Sequence, residues 1–504
     1  MVVCNAANNQ ALPSAVADAN SGFYVVWSDL RGNGSKAEIY GQHFDSEGNA
    51  LWTPNGQLLL SHPGRSLNQN AVLRLDDGSF LVAYTNALNT SSSADTLNAM
   101  RFAADGTAMW ASPSVLMTGS GVYQSPRLMR SGAGAIAGVY CDFCQFNGGF
   151  LLQRVLPDGA IIGPQTGVLI GGSNGPFTLE PDGVGGSYFT TRQGNGSGAP
   201  LRAWRVDSTL TTVWSALDLA DANGLSYNYG TTTAPDGSLT AVWEYNGELK
   251  MNRIDTTGAN LWSPTILPAC THAAIQTSHA ALIHDGALFV SWRDGRTDSL
   301  GLFMQRYDLG TGAPEWNPTG NPAIIENVYI PTSRLVASDS GAVIGIMDMS
   351  GPHGYCAMRM RADGSKAWDE AVSFATNYGP FYGERTELSD GNGGAVSFWR
   401  NNNGDLYGAR IYRNGKLYND VGITEATRPT MAIAAYPNPS QEAITFDLPA
   451  NERILAVELF DASGRSIGMA NTQRTLDIQA LTPGLYTARL ITSAGLRTSR
   501  FIKQ

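Results

Sequence analysis

Charged residues, cysteines and long apolar runs are all scarce in this chain of 504 residues. Charged side chains make up 15% of the sequence, the formal net charge is −10, and there is no long run of Lys or Arg. A nucleic acid or an anionic membrane surface is therefore excluded as the expected partner. No apolar stretch reaches the roughly 20 residues that a membrane-spanning helix needs. We expect no transmembrane segment.

The beginning of the chain lacks a secretory signal. The segment from Met1 to Asn5 has neither the charged start nor the apolar core of a signal peptide. Val2-Val3-Cys4, which leads to Pro13, has the pattern of the end of a repeat that began upstream. We therefore expect the N-terminus to be truncated.

The sequence also lacks the patterns of known catalytic and cofactor sites. It has no Gly-x-Ser-x-Gly elbow, and its six histidines lack metal-ligand spacing. Its glycine-rich turns, such as residues 182–186 and 390–394, precede no predicted helix and lack the twelve-residue calcium-loop spacing. We therefore predict no catalytic residue, no metal ligand and no cofactor. A structural calcium ion at one turn is left open.

Glycine and large aromatic residues are abundant, with 57 Gly, 11 Trp and 19 Tyr. From Asn9 to Pro429 the sequence repeats with a period of roughly 50 residues. The first copy has a turn near Gly22, the apolar run Phe23–Trp27, a second run near residues 39–45, and a turn followed by Trp52. The turn with a following tryptophan recurs at Trp110, Trp262, Trp316 and Trp368.

This repeat pattern predicts an all-β protein. Each copy contains four strand-like runs, and one four-stranded sheet has a face that it cannot bury alone. Stacking the copies around an axis buries the aromatic side chains between neighbours, as in a propeller. Eight copies predict an eight-bladed β-propeller over residues 1–429, followed by a small immunoglobulin-like β-sandwich over residues 430–504. Two smaller propellers, or a ring that lacks one blade, are the alternatives.

The repeats resemble those of Bacteroidota surface proteins with the pattern Trp-x-Asp-x-Arg, Ile-Tyr-x-Gln and Gly-x-x-x-Trp. The match is close in the first copy and in the sixth, which contains Trp292-Arg293-Asp294-Gly295-Arg296. The functions of that family are mostly unassigned. The resemblance therefore implies a fold and a place at the cell surface rather than an activity.

The last seventy or so residues carry a second resemblance. The ordered motifs are an opening Tyr-Pro-Asn-Pro, an internal Gly-Arg turn, a Gly-x-Tyr step and a basic end. They resemble the type A sorting domain of the Bacteroidota type IX secretion system. The resemblance implies a protein that is secreted or held at the outer-membrane surface, the secretion machinery as partner, and removal of the domain after export. The motif residues are Tyr436, Pro437, Asn438, Pro439, Gly464, Arg465, Gly484, Tyr486 and Lys503.

Two Asp/Arg pairs are the candidate ligand-binding residues. Asp29 with Arg31, and Asp294 with Arg296, follow the tryptophan of the second strand in their copies. In a propeller, the loops after second strands share one face, where such charges would hold a glycan or a carboxylate. The alternative is that each pair braces its own turn. Recurrence in several copies favours bracing, because a structural device repeats whereas an active site breaks symmetry.

Cysteines offer one further local feature. Cys141 and Cys144 form a Cys-x-x-Cys without the helix of a thioredoxin-like site and without further ligands for zinc. In an exported protein we predict a disulfide between them.

These observations predict a non-catalytic binding or adhesion propeller, monomeric, that contacts an extracellular glycan, polymer or protein. The first alternative is a secreted enzyme that degrades polysaccharides with a pair of acids, and the second is a structural spacer. The candidate acids are Asp142, Glu180, Glu244, Glu315 and Asp348.

Overall fold

The computed structural model describes the chain except for residues 33, 89–94, 120, 143–148, 172–175, 193–199, 221–224, 297–299, 326–332, 350–353, 376–384, 418–430, 451, 463–465, 470–472 and 493–494. The chain divides into two compact units, Met1–Asn419 and Asp420–Gln504. The predicted boundary between residues 429 and 430 lies outside the described residues. None of the helices in the described part is long and apolar enough to cross a membrane.

The first unit is built from β-strands, and its described residues contain no α-helix. Alternating apolar residues between glycine-containing turns give short strands that are well buried in the middle of each sheet. The strands of its first half are β1 (Val2–Cys4), β2 (Gln10–Ala17), β3 (Phe23–Asp29), β4 (Glu38–Phe44), β5 (Gln57–Leu60), β6 (Ser66–Arg74), β7 (Phe80–Ala87), β8 (Thr96–Phe102), β9 (Ser114–Thr118), β10 (Val122–Ser131), β11 (Gly134–Asp142), β12 (Gly149–Val155), β13 (Ile161–Ile162), β14 (Val168–Gly171), β15 (Phe177–Pro181), β16 (Ser187–Arg192), β17 (Leu201–Val206) and β18 (Thr212–Ala220).

The second half of the unit continues in the same way. Its strands are β19 (Leu225–Thr233), β20 (Leu239–Tyr245), β21 (Glu248–Ile254), β22 (Leu267–Pro268), β23 (Gln276–His284), β24 (Ala287–Asp294), β25 (Gly301–Asp308), β26 (Asn321–Ile325), β27 (Ser333–Ala337), β28 (Val343–Met349), β29 (Gly354–Met360), β30 (Val372–Ala375), β31 (Arg385–Ser389), β32 (Ala395–Arg400) and β33 (Leu406–Ile411).

These strands form eight antiparallel sheets, numbered here in chain order, of which sheet 3 has five strands and the others four. Sheets 1 to 7 take consecutive strands, namely β2–β5, β6–β9, β10–β14, β15–β18, β19–β22, β23–β26 and β27–β30. The first strands of successive sheets contact one another, and the first strand of sheet 8, β31, contacts β2 of sheet 1. The contacts between first strands therefore run in a closed circuit, as in a propeller-like fold.

Sheet 8 joins the two ends of this circuit. Its strands β31, β32 and β33 come from the end of the unit, and its fourth strand is β1. Val2 lies opposite Tyr407, and Cys4 lies opposite Leu406. The segment predicted to end an upstream repeat thus completes the last sheet, because its backbone pairs with the open edge of β33.

Aromatic side chains fill the junctions between sheets. Tyr24 of sheet 1 stacks on Phe80 of sheet 2 with ring centroids 4.6 Å apart. At the closing junction, Phe44 of sheet 1 stacks on Phe398 of sheet 8 at 6.0 Å. Each such ring pair contributes roughly 0.5–1.5 kcal/mol beyond the area that it buries.

In most of the sheets, a tryptophan that follows a turn links its sheet to the next one. Trp316 donates a hydrogen bond of 2.9 Å from Nε1 to the carbonyl oxygen of Ala362 in sheet 7. Gly364 closes that turn with a φ of +82°, and a Cβ there would lie 2.8 Å from Cγ of Trp316. Corresponding tryptophans in other sheets bond the next turn in the same way, which confirms their predicted packing role; they are Trp110, Trp214, Trp262 and Trp368.

The second unit contains a five-stranded and a three-stranded sheet over one apolar core. The five-stranded sheet has the order β34-β41-β40-β37-β38, and the three-stranded sheet has the order β35-β36-β39. The strands are β34 (Met431–Ala432), β35 (Ala435–Tyr436), β36 (Ala443–Phe446), β37 (Ile454–Phe460), β38 (Ser466–Met469), β39 (Thr475–Asp477), β40 (Gly484–Thr492) and β41 (Gly495–Lys503).

The closing strand β1 provides a test of the circuit. Val3 is 2% exposed and packs with Phe23 and Phe398, whereas Val2 on the same strand is 49% exposed. We expect Val3→Asp to lower the free energy of unfolding by roughly 3–5 kcal/mol, because it buries a carboxylate without a partner. Chemical denaturation followed by circular dichroism measures this loss. Val2→Asp is the matched control, and equal losses in the two variants would show that β1 does not close the unit.

Candidate functional site

The first strands of several sheets share an irregularity. In β2, Ala11 lies opposite Ser28 and Ser14 opposite Val26, so that β2 has one residue more than its partner strand over this stretch. The same one-residue bulge occurs in β6, β10 and β23 at corresponding places. A bulge bends its strand and changes the direction in which the following side chains point. These bulges therefore shape the region where the first strands meet.

Two of the bulges combine an unusual backbone with proline. Leu12 has a φ of 55° and precedes Pro13, and Ser125 has a φ of 51° and precedes Pro126. Non-glycine residues are uncommon in this left-handed region, and proline restricts the residue before it as well. Such strain often accompanies functional sites.

A cavity of about 300 Å³ lies among the bulges of β2, β6 and β10, with β31 on a further side. We call this cavity the central pocket. Its polar walls come from neighbouring sheets: Asn70 donates a hydrogen bond of 3.0 Å to the carbonyl oxygen of Leu12, and the backbone of Val72 donates one of 3.2 Å to Oγ of Ser14. The polar and charged residues of its lining are Ser14, Asn70, Arg127, Arg385 and Thr386.

Arginine dominates the charge of this region. Arg127 is exposed, and no carboxylate of the described residues lies within ion-pairing distance of it. The side chain of Arg385 is 2% exposed, with Nε 2.9 Å from Oε1 of Glu387 and the guanidinium 4.6 Å from the ring centre of Tyr355. Arg385 is thus a fixed positive charge, whereas Arg127 retains donors for a ligand.

A third arginine lies near the other two. Desolvation by neighbouring groups lowers the pKa of Arg334, the charge of Glu387 opposes this shift, and the positive charges of Arg385 and Arg127 lower the pKa further. The three guanidiniums therefore act on a common region.

Glu180 of β15 is the other acid of this region. Burial raises its pKa to about 8, and the hydrogen bond with Thr231 and the charge of Arg127 offset only part of that increase. Oγ1 of Thr231 lies 3.3 Å from Oε1 of Glu180. Because its pKa is above neutral pH, Glu180 is mostly protonated at pH 7 and adds little negative charge beside Arg127.

Arg127 also breaks the symmetry of the repeats. The residues that follow the bulges at the same register are Ser14 in β2, Ala71 in β6, Arg127 in β10 and Ala280 in β23. A structural device would repeat at all of these equivalent positions. An arginine at one of them breaks the symmetry, as expected of a binding site.

The predicted pair Asp29 and Arg31 lies inside the fold. Asp29, the last residue of β3, is fully buried and accepts hydrogen bonds from Nε1 of Trp27 at 2.8 Å and from Arg31 at 2.6 Å. Arg31 also donates to the carbonyl oxygen of Asn55 at 2.7 Å and lies 3.8 Å from the ring centre of Tyr40. This arrangement favours a bracing role for the pair.

Sheet 6 contains the same arrangement. Asp294 is fully buried and accepts hydrogen bonds from Trp292 at 3.0 Å and from Arg296 at 2.5 Å. Burial raises the pKa of Asp294, but these hydrogen bonds outweigh it and hold the pKa below its usual value. Arg296 lies 4.0 Å from the ring centre of Phe303. The two pairs belong to sheets 1 and 6, which are not neighbours in the circuit.

The other predicted acids are scattered over several sheets. Glu244 accepts hydrogen bonds from Asn228 and from the backbone of Ser278, and Glu315 pairs with Arg306 at 2.6 Å. No group of three or more His, Cys, Asp or Glu side chains in the described part of the chain is arranged to hold a metal ion. Glu180 is the predicted acid whose pKa responds to the charge of Arg127.

Cys141 is disulfide-bonded, and Cys4, Cys270 and Cys356 are free. Cys144 lies outside the described residues, so its pairing with Cys141 stays a prediction.

The sorting motifs lie on the strands of the second unit and next to them. Tyr436 is 54% exposed. Nδ2 of Asn438 donates a hydrogen bond of 3.0 Å to the carbonyl oxygen of Arg500 in the last strand, and the backbone N–H of Ile502 donates one of 2.9 Å to Oδ1 of Asn438. Gly484 lies opposite Lys503, and the buried ring of Tyr486 stacks on Phe501 at 5.6 Å. Gly464 and Arg465 lie outside the described residues. The opening and closing motifs are thus joined by hydrogen bonds.

Sequence reasoning missed Arg127, Arg334 and Arg385. They lie on the first strands of three different sheets, β10, β27 and β31, and their proximity follows from the closed circuit. One signal was present: Ser125-Pro126-Arg127 and Leu12-Pro13-Ser14 occupy the same place in their repeats, and the charge is found in one of them.

Residues 434–504 match the family of secretion system C-terminal sorting domains. This match confirms the predicted sorting domain and indicates export by the type IX secretion system of Bacteroidota, to the medium or to the outer-membrane surface. The match is confined to the second unit. No curated protein matches this sequence.

Several solved structures are distantly similar to the chain. Prolyl oligopeptidase B from Galerina marginata is 10% identical, with a TM-score of 0.44 over 78% of this chain and 56% of that one. A family PL25 ulvan lyase is 9% identical, with a TM-score of 0.41 over 72% and 96%. The extracellular domain of BT4673 from B. thetaiotaomicron is 12% identical, with a TM-score of 0.39 over 99% and 57%. These values are too low to transfer an activity.

The bracing role of Asp29 leads to a stability prediction. We expect Asp29→Ala to lower the free energy of unfolding by roughly 3–5 kcal/mol, because it leaves the guanidinium of Arg31 inside the fold without its carboxylate. Asp218→Ala, which removes an exposed pair with Arg202, is the control with an expected loss below about 1 kcal/mol. Urea denaturation measures both. An unchanged stability of Asp29→Ala together with weaker glycan binding would favour the ligand role instead.

The sorting domain leads to a prediction about the mature protein. We expect the protein recovered from the surface or medium of its native host to end shortly before Tyr436, because the resemblance to type A sorting domains implies removal of the domain after export. Intact-mass measurement reads the C-terminus directly. Retention of residues 436–504 on the exported protein would contradict removal.

Proposed function

We propose that residues 1–429 form an eight-bladed β-propeller and that residues 430–504 form an immunoglobulin-like β-sandwich for type IX export. The closed circuit of first strands and the fourth strand supplied by β1 support the propeller. The two sheets over one apolar core support the sandwich.

The proposed function of the propeller is non-catalytic binding of an extracellular polysaccharide in the central pocket. The observation that carries this proposal is the pocket itself, in which three bulges direct hydroxyl, amide and guanidinium groups of adjacent sheets into one cavity. Binding sites of this kind combine a concave shape with a small number of polar groups that fix the ligand. Type IX export supports this proposal, because it brings the protein outside the cell, where polysaccharides are common polymers.

Glu180 supports a second candidate, a polysaccharide-degrading activity. An acid that is protonated at neutral pH can donate a proton to a leaving group, and its raised pKa of about 8 suits that role. The activity would fall as the pH rises through about 8, because ionised Glu180 has no proton to donate.

Binding by the full-length chain to a panel of polysaccharides tests the proposed function. We expect affinity gel electrophoresis to show retardation by at least one polysaccharide, and Thr386→Phe to abolish it by filling the pocket. Thr53→Phe, on an exposed turn of sheet 1, is the control for added bulk. Thermal unfolding of both variants verifies folding.

The same samples distinguish the two candidates. Binding without release of new reducing ends or unsaturated sugars supports the non-catalytic function. Release of products that Glu180→Gln abolishes would establish the enzyme instead. If no polysaccharide retards the chain, the proposed function is wrong.

A further inference from the structure

The central pocket is positively charged in a protein of formal net charge −10. Arg127 and Arg385 line it, and Arg334 is close enough for their charges to lower its pKa. Glu387 is engaged with Arg385, and Glu180 is mostly protonated at neutral pH. An acidic protein that concentrates arginines in one cavity creates a local field that attracts anions.

Arg127 lines the pocket and has donors available for a ligand. It is exposed in the pocket, and the described residues hold no carboxylate in ion-pairing distance of it. A guanidinium presents a planar fork of N–H donors that matches a carboxylate or a sulfate with two parallel hydrogen bonds. Arg385 is held by Glu387 and the ring of Tyr355, so it adds a fixed charge without having to move.

Asn70 offers a hydrogen-bond acceptor, which an anion without a hydroxyl group would leave unsatisfied. Its Nδ2 donates to the carbonyl oxygen of Leu12, whereas its Oδ1 is buried and has no hydrogen-bond partner among the described residues. A buried acceptor without a donor is costly, and a ligand hydroxyl would satisfy it. Ser14 and Thr386 add further hydroxyl groups to the same walls.

The volume of the pocket limits the size of the ligand. Its volume of about 300 Å³ lies at the lower end of the range for small-molecule sites, roughly 300–1,000 Å³. A single sugar unit of a polymer fits such a cavity, whereas a folded domain does not.

We propose that the central pocket binds an acidic sugar unit of an extracellular polysaccharide, with its carboxylate or sulfate on Arg127 and a neighbouring hydroxyl on Asn70. This inference rests on the proposed function and specifies the class of polysaccharide. The anion and the hydroxyl belong to one ligand, because the guanidinium and the amide line one cavity.

Equilibrium binding of the full-length chain to defined polymers tests the proposal. The probes are polygalacturonate for carboxylate, dextran sulfate for sulfate, and dextran as the neutral polymer, at about 150 mM salt so that long-range attraction is screened. Polyglutamate and single-stranded DNA carry anions without the sugar acid. We expect at least one of the two acidic polysaccharides to bind more tightly than dextran, polyglutamate and DNA.

The variants locate the site. Arg127→Gln should weaken binding of that polysaccharide by about tenfold or more, the factor that corresponds to losing charge-assisted hydrogen bonds. Asn70→Ala should weaken it by a smaller factor. Arg413→Gln, which removes a charge whose side chain is 61% exposed on a turn, is the control and should change binding by less than about twofold. Unchanged thermal unfolding of Arg127→Gln excludes misfolding as the cause.

The outcomes separate this inference from the function on which it rests. Binding of dextran or other neutral polysaccharides, unaffected by Arg127→Gln, would overturn the acidic ligand and leave a polysaccharide-binding function in place. Equal binding of polyglutamate or DNA would overturn the sugar specificity. If no polysaccharide of either kind binds, both proposals fail.

Discussion

The first unit depends on burying aromatic rings between adjacent sheets. A four-stranded sheet has an apolar face that must be buried, and in each repeat the next repeat covers that face. In most repeats a tryptophan after the turn makes this contact directional. Its ring lies against a turn glycine and its indole N–H bonds the backbone of that turn, as Trp316 does at Ala362 and Gly364. At Gly364 this contact leaves no room for a side chain, which couples the turn sequence of one repeat to the ring of the one before it.

The sequence predicted these repeated contacts because they are local in pattern. A tryptophan about four residues after a turn glycine, recurring every fifty or so residues, is visible without coordinates. The sorting domain was predictable for the same reason, since its motifs occur in a fixed order. The partner of β1 was not predictable in this way, because Val2–Cys4 pairs with a strand some four hundred residues away.

The pocket escaped prediction for two physical reasons. Arg127, Arg334 and Arg385 are far apart in the chain, and a single charged residue on a strand normally indicates a solvated face. In addition, one extra residue in a strand reverses which side chains face a given side of the sheet. Because of the bulge before Arg127, simple alternation along the strand predicts the wrong face of the sheet for its guanidinium. The Asp/Arg pairs recur in the sequence, and the hydrogen bonds of Asp29 with Trp27 and of Asp294 with Trp292 give that recurrence a structural reason.

Strand β1 has a consequence for how the unit is assembled. It supplies the outer strand of a sheet whose other three strands come from the far end of the unit. Until these remote segments meet, β33 presents a free row of backbone groups, which is the kind of edge on which strands of other chains add. Self-recognition between the two ends therefore competes with intermolecular association, and a shortened copy that lacked either end would be prone to aggregate or to exchange strands.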